Sequence, residues 1–276
     1  RSDRVRDALL KTAKEDAFLR VRSEAIATLE KDRSPQTLDA LLSILDDPEP
    51  KVRNRVVNAL HGYYKESKAI DALVRRYQTD SIHNVQADAA RILAQVKLQN
   101  GYETLKNGLE TESWENRLRN AVMDALVDLE QPQVYDSLVK FSQDPFPRDV
   151  RTTAIRGLGR LVNKTKLNEK ETLERLLDSL KSSATSIREA AITGLQSLGN
   201  EDAIPQLQWI QWNDEDSDLR TAAERAISEI RKDRNSDLAG TNAGRIDRLE
   251  NQNQKLEERI TQLENQLQET QIGRAH

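Results

Sequence analysis

A chain of 276 residues could form one large core or two domains, but 32% charged and only 4% aromatic residues is the balance of amphipathic helices, not of a sandwich or barrel. The 42 basic and 46 acidic residues are interspersed to a net charge of −4, which leaves no basic field for nucleic acid or an anionic membrane. The chain has no cysteine for a disulfide or thiolate metal site and no apolar run near the ~20 residues of a membrane span, so a reducing, cytoplasmic compartment is the expectation.

The predicted elements are helices in pairs. Ser2 can cap a first helix carrying Val5, Leu9 and Leu10, and Leu19–Leu29 returns with Val21, Ala25 and Leu29 on one face. Arg1 stands almost inside this helical pattern, so the chain reads as a piece of a longer polypeptide. Ser34-Pro35 opens a second pair through Leu38, Leu41, Leu42 and Leu45; Asp46-Asp47-Pro48-Glu49-Pro50 breaks it, and Lys51–Leu60 returns. A third pair runs through Ile70, Leu73, Val74 and Tyr77, turns at Thr79–Asn84 and returns over Val85–Val96.

The fourth pair starts at Gly101 with Tyr102, Leu105 and Leu109, and its return helix begins near Asn116. Pro132 opens the fifth, whose return helix from Asp149 is expected to end near Gly157 and Gly159. Asn163–Asn168 then reads as a longer loop, and Asn168 with Glu171 as a capping box for a helix through Leu173, Leu176, Leu177 and Leu180. The seventh pair uses Pro205, Leu207 and Ile210, an acidic turn at Asp214–Asp218, and Leu219–Ile230.

Each return helix opens in the same way. The lead aliphatic falls at 21, 52, 85, 118, 150, 187 and 219, spacings of 31, 33, 33, 32, 37 and 32. An arginine follows it at Arg22, Arg53, Arg119, Arg151, Arg188 and Arg220, and Gln86 takes the place once. This column is expected to act as a structural ladder. Each arginine would meet a turn carboxylate of its own or the adjoining repeat, such as Asp16, Asp47, Asp144 or Asp214, and Gln86 would make a neutral hydrogen bond.

The period stops near Arg231. Residues 232–244 read as a linker with Gly240 and Gly244, residues 245–270 as a coiled-coil helix and 271–276 as a disordered tail. The seam of the coil is Ile246, Leu249, Asn253, Leu256, Ile260, Leu263, Leu267 and Thr270. Ile at a, Leu at d and one Asn at a fit a parallel two-stranded coil, so a homodimer through 245–270 is the expectation; the rival is a helix folded back on its own chain.

A two-helix period of this length, with an acidic, Pro-bearing turn and a Val-Arg start to the second helix, resembles HEAT repeats over residues 1 to about 231. The resemblance implies a right-handed α-α superhelix of about seven helix pairs. A further likeness is carried by Asp16-Ala17-Phe18-Leu19-Arg20-Val21-Arg22-Ser23-Glu24-Ala25 with the final Ile246-Asp247-Arg248-Leu249-Glu250. Together with the repeats they resemble the C-terminal tail of bacterial M1-family zinc aminopeptidases, although the usual Pro after the first Asp is Ala17 here. That resemblance implies a catalytic domain upstream, and with it any zinc. HExxH is absent from this chain, so no catalytic residue carries over.

Candidate chemistry within the chain is thin. The three histidines, His61, His83 and His276, have no ligand partner at metal-binding spacing, and no nucleotide-binding or nucleophile motif occurs. The expectation is therefore no catalytic, cofactor or metal site, and binding to protein. Trp209 and Trp212, beside Asp214–Asp218, are the candidate partner contact; the plainer reading packs at least one of them against the last return helix. Tyr63, Tyr64 and Trp114 are expected to pack in the core or between repeats, with a partner contact as the alternative. The competing class is a lyase or chaperone-type subunit, because HEAT-like arrays also occur in phycobilin lyases.

Overall fold

The computed structural model describes residues 3–232, which are helical throughout apart from turns. The helices come in pairs: α1 (Asp3–Glu15) with α2 (Leu19–Leu29), α3 (Pro35–Leu42) with α4 (Pro50–Leu60), α5 (Ser67–Thr79) with α6 (His83–Gln95), and α7 (Gly101–Leu105) with α8 (Arg117–Asp128). Three more follow: α9 (Tyr135–Phe141) with α10 (Arg148–Thr165), α11 (Glu169–Ser179) with α12 (Thr185–Leu198), and α13 (Ile204–Asn213) with α14 (217–232). The chain divides into two compact units, Arg1–Ala226 and Ile227–His276, and in the second only the helical residues 227–232 are described. The linker, the coiled coil with its seam and the tail read from the sequence lie outside the described residues, as does Ser2.

Within the first unit, the return helices α2, α4, α6, α8, α10 and α12 pack in series, each against the next. Of the first helices, α1, α3, α5, α7, α9 and α11 each cover their own partner. The core lies between the two layers. Each return helix contributes its lead aliphatic and the residues four and eight further on, one stripe at helical spacing. Val52, Val56 and Leu60 are fully buried, and Val150, Ala154 and Leu158 almost so. Val21 departs from this column and is 41% exposed. Among the described residues no return helix packs against α2 from its N-terminal side.

Turn chemistry sets where the helices begin. Ser34 Oγ accepts the Thr37 N–H at α3, with Pro35 at the first helical position. At four turns an Asp two residues before the helix cap folds back onto the cap N–H: Asp16 to Phe18, Asp47 to Glu49, Asp80 to Ile82 and Asp214 to Asp216, at 2.8–3.0 Å. Ser182 does the same for Ala184 at 3.2 Å.

Three local expectations need correction. Helix α10 does not end near Gly157 and Gly159; it runs through both to Thr165. The glycines are there for contact, since a Cβ on Gly159 would run into the Gly194 carbonyl oxygen of α12, and one on Gly194 would stand 3.0 Å from the Ile155 carbonyl oxygen. The α10–α12 crossing is therefore backbone against backbone. The loop shrinks from Asn163–Asn168 to residues 166–168. Asn168 adopts φ +58° and its side chain caps nothing, so the capping box does not form.

Candidate functional site

The turn side of the repeat array gathers the arginine column. Arg53 is the most complete case. Its Nε donates to Asp80 Oδ2 at 2.7 Å and its Nη2 to Asp80 Oδ1 at 2.8 Å, while Nη1 holds the Asp47 and Pro48 carbonyls of its own turn. Arg76, at the end of α5, adds a 3.3 Å bond to Asp80 and also pairs with Asp46. Sequence reasoning missed Arg76; its place four residues before the turn aspartate was the available signal. Burial by itself would raise the Asp80 carboxyl, but the Arg53 hydrogen bonds, the Ile82 N–H and the positive charge beside it hold it below the ordinary carboxylate range.

The other members of the column divide into two kinds. Arg22 reaches forward to Asp47 at 2.5 Å, and Arg188 to Asp214 at 3.5 Å. The rest tie their own repeat: Arg220 donates to the Asp214 and Glu215 carbonyls, Arg119 to the Leu109 carbonyl, and Arg151 to Asp144 at 2.5 Å and the Ser142 carbonyl at 3.4 Å. Gln86 donates to the Tyr77 carbonyl at 2.9 Å, a neutral bond in the same own-repeat direction.

The remaining junctions can be followed on the same side. Arg117 reaches back to Asn84 at 3.4 Å from the fourth repeat to the third. Asn116 and Asn120 of the fourth reach Asp149 of the fifth at 3.1 Å. Between the fifth and sixth repeats no polar bond crosses on the turn side among the described residues. A cavity of about 600 Å³ opens there instead, with Arg151, Arg175 and Lys181, the carboxylates of Asp144 and Asp178, and the hydroxyl of Ser182 on its wall.

The aromatic candidates sit elsewhere. Trp209 and Trp212, one turn apart on α13, are 55% and 71% exposed, so neither is buried in the core. Trp114 is 81% exposed and Tyr64 is exposed, whereas Tyr63 is buried and donates to the Asp32 carbonyl at 2.8 Å. The sequence could not separate these cases, because an aromatic near a helix end has no partner in the periodic stripe to fix its direction. Among the described residues no cluster of three or more His, Cys, Asp or Glu could hold a metal, and no helix is long and apolar enough to cross a membrane.

Stacked helix pairs, with a continuous core between two layers and a repeated turn, define an α-solenoid of the kind that binds other proteins. The family model for HEAT repeats matches residues 6–90, 82–159 and 142–228, and the chain belongs to that family. No curated protein matches the sequence. Among solved structures it is similar to the complex of CpcE and CpcF of phycocyanin lyase from Nostoc sp. PCC7120, at 18% identity and a TM-score of 0.51 over 82% of this chain and 94% of that one. YibA of E. coli is similar at 16% identity and 0.52, over 82% and 94%. Kap95p, in a complex concerning RanGDP and nuclear import, is similar at 14% identity and 0.61, over 82% of this chain and 36% of that chain.

Proposed function

We propose that this chain is a non-catalytic scaffold that binds a protein partner. The observation that carries the reading is the Trp209–Trp212 pair. Two large aromatics on one exposed helix face are costly to leave in water and are the residue type that dominates binding energy at interfaces. The test is capture of a partner on the whole chain, followed by direct titration of the purified partner. Replacing both tryptophans by Ala is expected to weaken binding by about 100-fold with helix content unchanged. An unchanged affinity rules out this surface.

Two finer statements belong to the same proposal. The scaffold is read as the C-terminal region of a larger enzyme such as an M1 zinc aminopeptidase, supported by the Asp16–Ala25 and Ile246–Glu250 segments alone; an HExxH upstream of Arg1 decides it. It is also read as a parallel homodimer through 245–270. Sedimentation of the whole chain against one ending at Arg231 tests this, and two monomers contradict it.

A second reading, a bilin lyase or chaperone-type subunit, is favoured by the similarity to the CpcE–CpcF complex over most of that chain's length. Incubation with a bilin and an apo-phycobiliprotein separates the two, since only the second reading expects pigment transfer.

A further inference from the structure

The junction between the fifth and sixth repeats lacks what three others have. At Asp47, Asp80 and Asp214 the turn aspartate does two things: one oxygen closes its own turn, and the carboxylate takes an arginine from the preceding repeat. Ser182 stands in that register, as its bond to the Ala184 N–H shows, but a hydroxyl brings no charge. Arg151 therefore has no turn carboxylate at that register ahead of it; Asp178 of α11 lines the same cavity but is paired with Lys181. Arg151 bends back to Asp144, whose side chain is 82% exposed, and its Nη2 has no hydrogen bond among the described residues.

Space accompanies the missing charge. Helices α10 and α12 touch backbone to backbone at Gly159 and Gly194. Toward their N-terminal ends the cavity of about 600 Å³ opens between the two turns, within the range of ligand pockets. The Arg151 side chain is only 20% exposed, so its guanidinium is held on the wall and not free in solvent. Ser142, Ser182 and Ser183 supply hydroxyls. Arg175 and Lys181 also line the wall but are already paired with Glu171 and Asp178 on their own segment. The carboxylates of Asp144 and Asp178 line it too, so Arg151 is the group that a ligand carboxylate would meet.

We propose that this cavity is a recognition site for an acidic peptide segment of the partner protein. A Glu or Asp side chain would enter from outside and take, against Arg151, the place that Asp47, Asp80 and Asp214 take at the other junctions. The planar guanidinium suits this, since it offers Nη2 to the incoming carboxylate while Nε keeps the Ser142 carbonyl. A bound segment would join the fifth repeat to the sixth on the turn side, where the chain itself does not. This inference rests on the scaffold reading and names the partner's chemistry at a second place on it.

The experiment uses the whole chain and three probes in calorimetric titrations: N-acetylated, amidated tetraglutamate, the matching tetraglutamine, and inorganic phosphate. Tetraglutamate is expected to bind in the millimolar range and the other two not to bind. Arg151→Gln should weaken tetraglutamate by about tenfold. Ser182→Asp supplies the missing carboxylate in cis, so it should weaken the peptide to a similar degree while raising the unfolding midpoint. That variant keeps the test decisive should Arg151→Gln fold poorly. Tetraglutamate binding that neither substitution changes, or no binding at all, overturns the proposal. Phosphate binding as tightly as tetraglutamate overturns it too, because the cavity would then be a simple anion site. None of these outcomes touches the tryptophan titration, so the scaffold reading stands or falls separately.

Discussion

Arg53 and Asp80 face each other across the junction of the second and third repeats as a two-pronged pair, Nε to Oδ2 at 2.7 Å and Nη2 to Oδ1 at 2.8 Å, with 9% and 0% of their side chains exposed. A pair so buried is held in place by its neighbours. Asp80 also accepts the Ile82 N–H and Arg76, and Arg53 also fills two turn carbonyls, so few polar atoms are left without a partner. The two residues join the turn of one repeat to the first return helix turn of the repeat before it.

Acid should undo this junction in a defined window. Asp80 titrates below its unfolded value, so its contribution is complete above the unfolded carboxylate range and is lost as pH falls through the lower folded value. Urea unfolding of the wild type and of Asp80→Asn should show a large gap at neutral pH that narrows below about pH 4. A gap constant with pH would mean that the carboxylate charge contributes nothing.

Gly159 reverses the usual helix rule. In an open helix, Ala for Gly stabilises by about 1 kcal/mol. Here the added methyl would meet the Gly194 carbonyl, a backbone atom that cannot swing aside. Gly159→Ala is expected to destabilise by roughly 1–3 kcal/mol in a denaturant titration; a stabilised protein would show that α10 and α12 can separate at no cost.

The first repeat should open before the middle of the array. Val5 and Val21 are exposed, and α1 buries Ala13 alone, whereas α8 buries eight residues. Hydrogen exchange is expected to release the amides of α1 and α2 well before those of α6 and α8. Equal protection would contradict this.

Helix pairs, turns and the arginine column were legible because each is local: a stripe at spacing four, a proline or aspartate at a break, one residue type at one register. What the sequence did not disclose is how the repeats approach one another. Gly157 and Gly159 looked like a helix end because glycine lowers helix propensity, yet Gly157 lies against the Leu138 and Val127 side chains and Gly159 serves a crossing whose other half, Gly194, lies 35 residues on. The direction of each arginine was hidden for the same reason. Arg22, Arg53 and Arg188 reach forward only because an Asp stands at the following turn, and Arg151 turns back because Ser182 stands there. Trp209 and Trp212 fell on the other side of this limit, since whether a helix-end aromatic is covered depends on a neighbour that the local pattern does not name.

The central claim is that the turn-side pairs tie one repeat to the next, and a double-mutant cycle on Arg53 and Asp80 tests it most directly. Urea unfolding of the wild type, Arg53→Ala, Asp80→Ala and the double variant gives the coupling energy of the pair. Each single substitution strands a buried charge and should cost about 3–5 kcal/mol, while the double should cost much less than their sum, leaving a coupling of about 2 kcal/mol or more. Single losses that simply add in the double variant would mean that the two residues stand side by side without holding the repeats together.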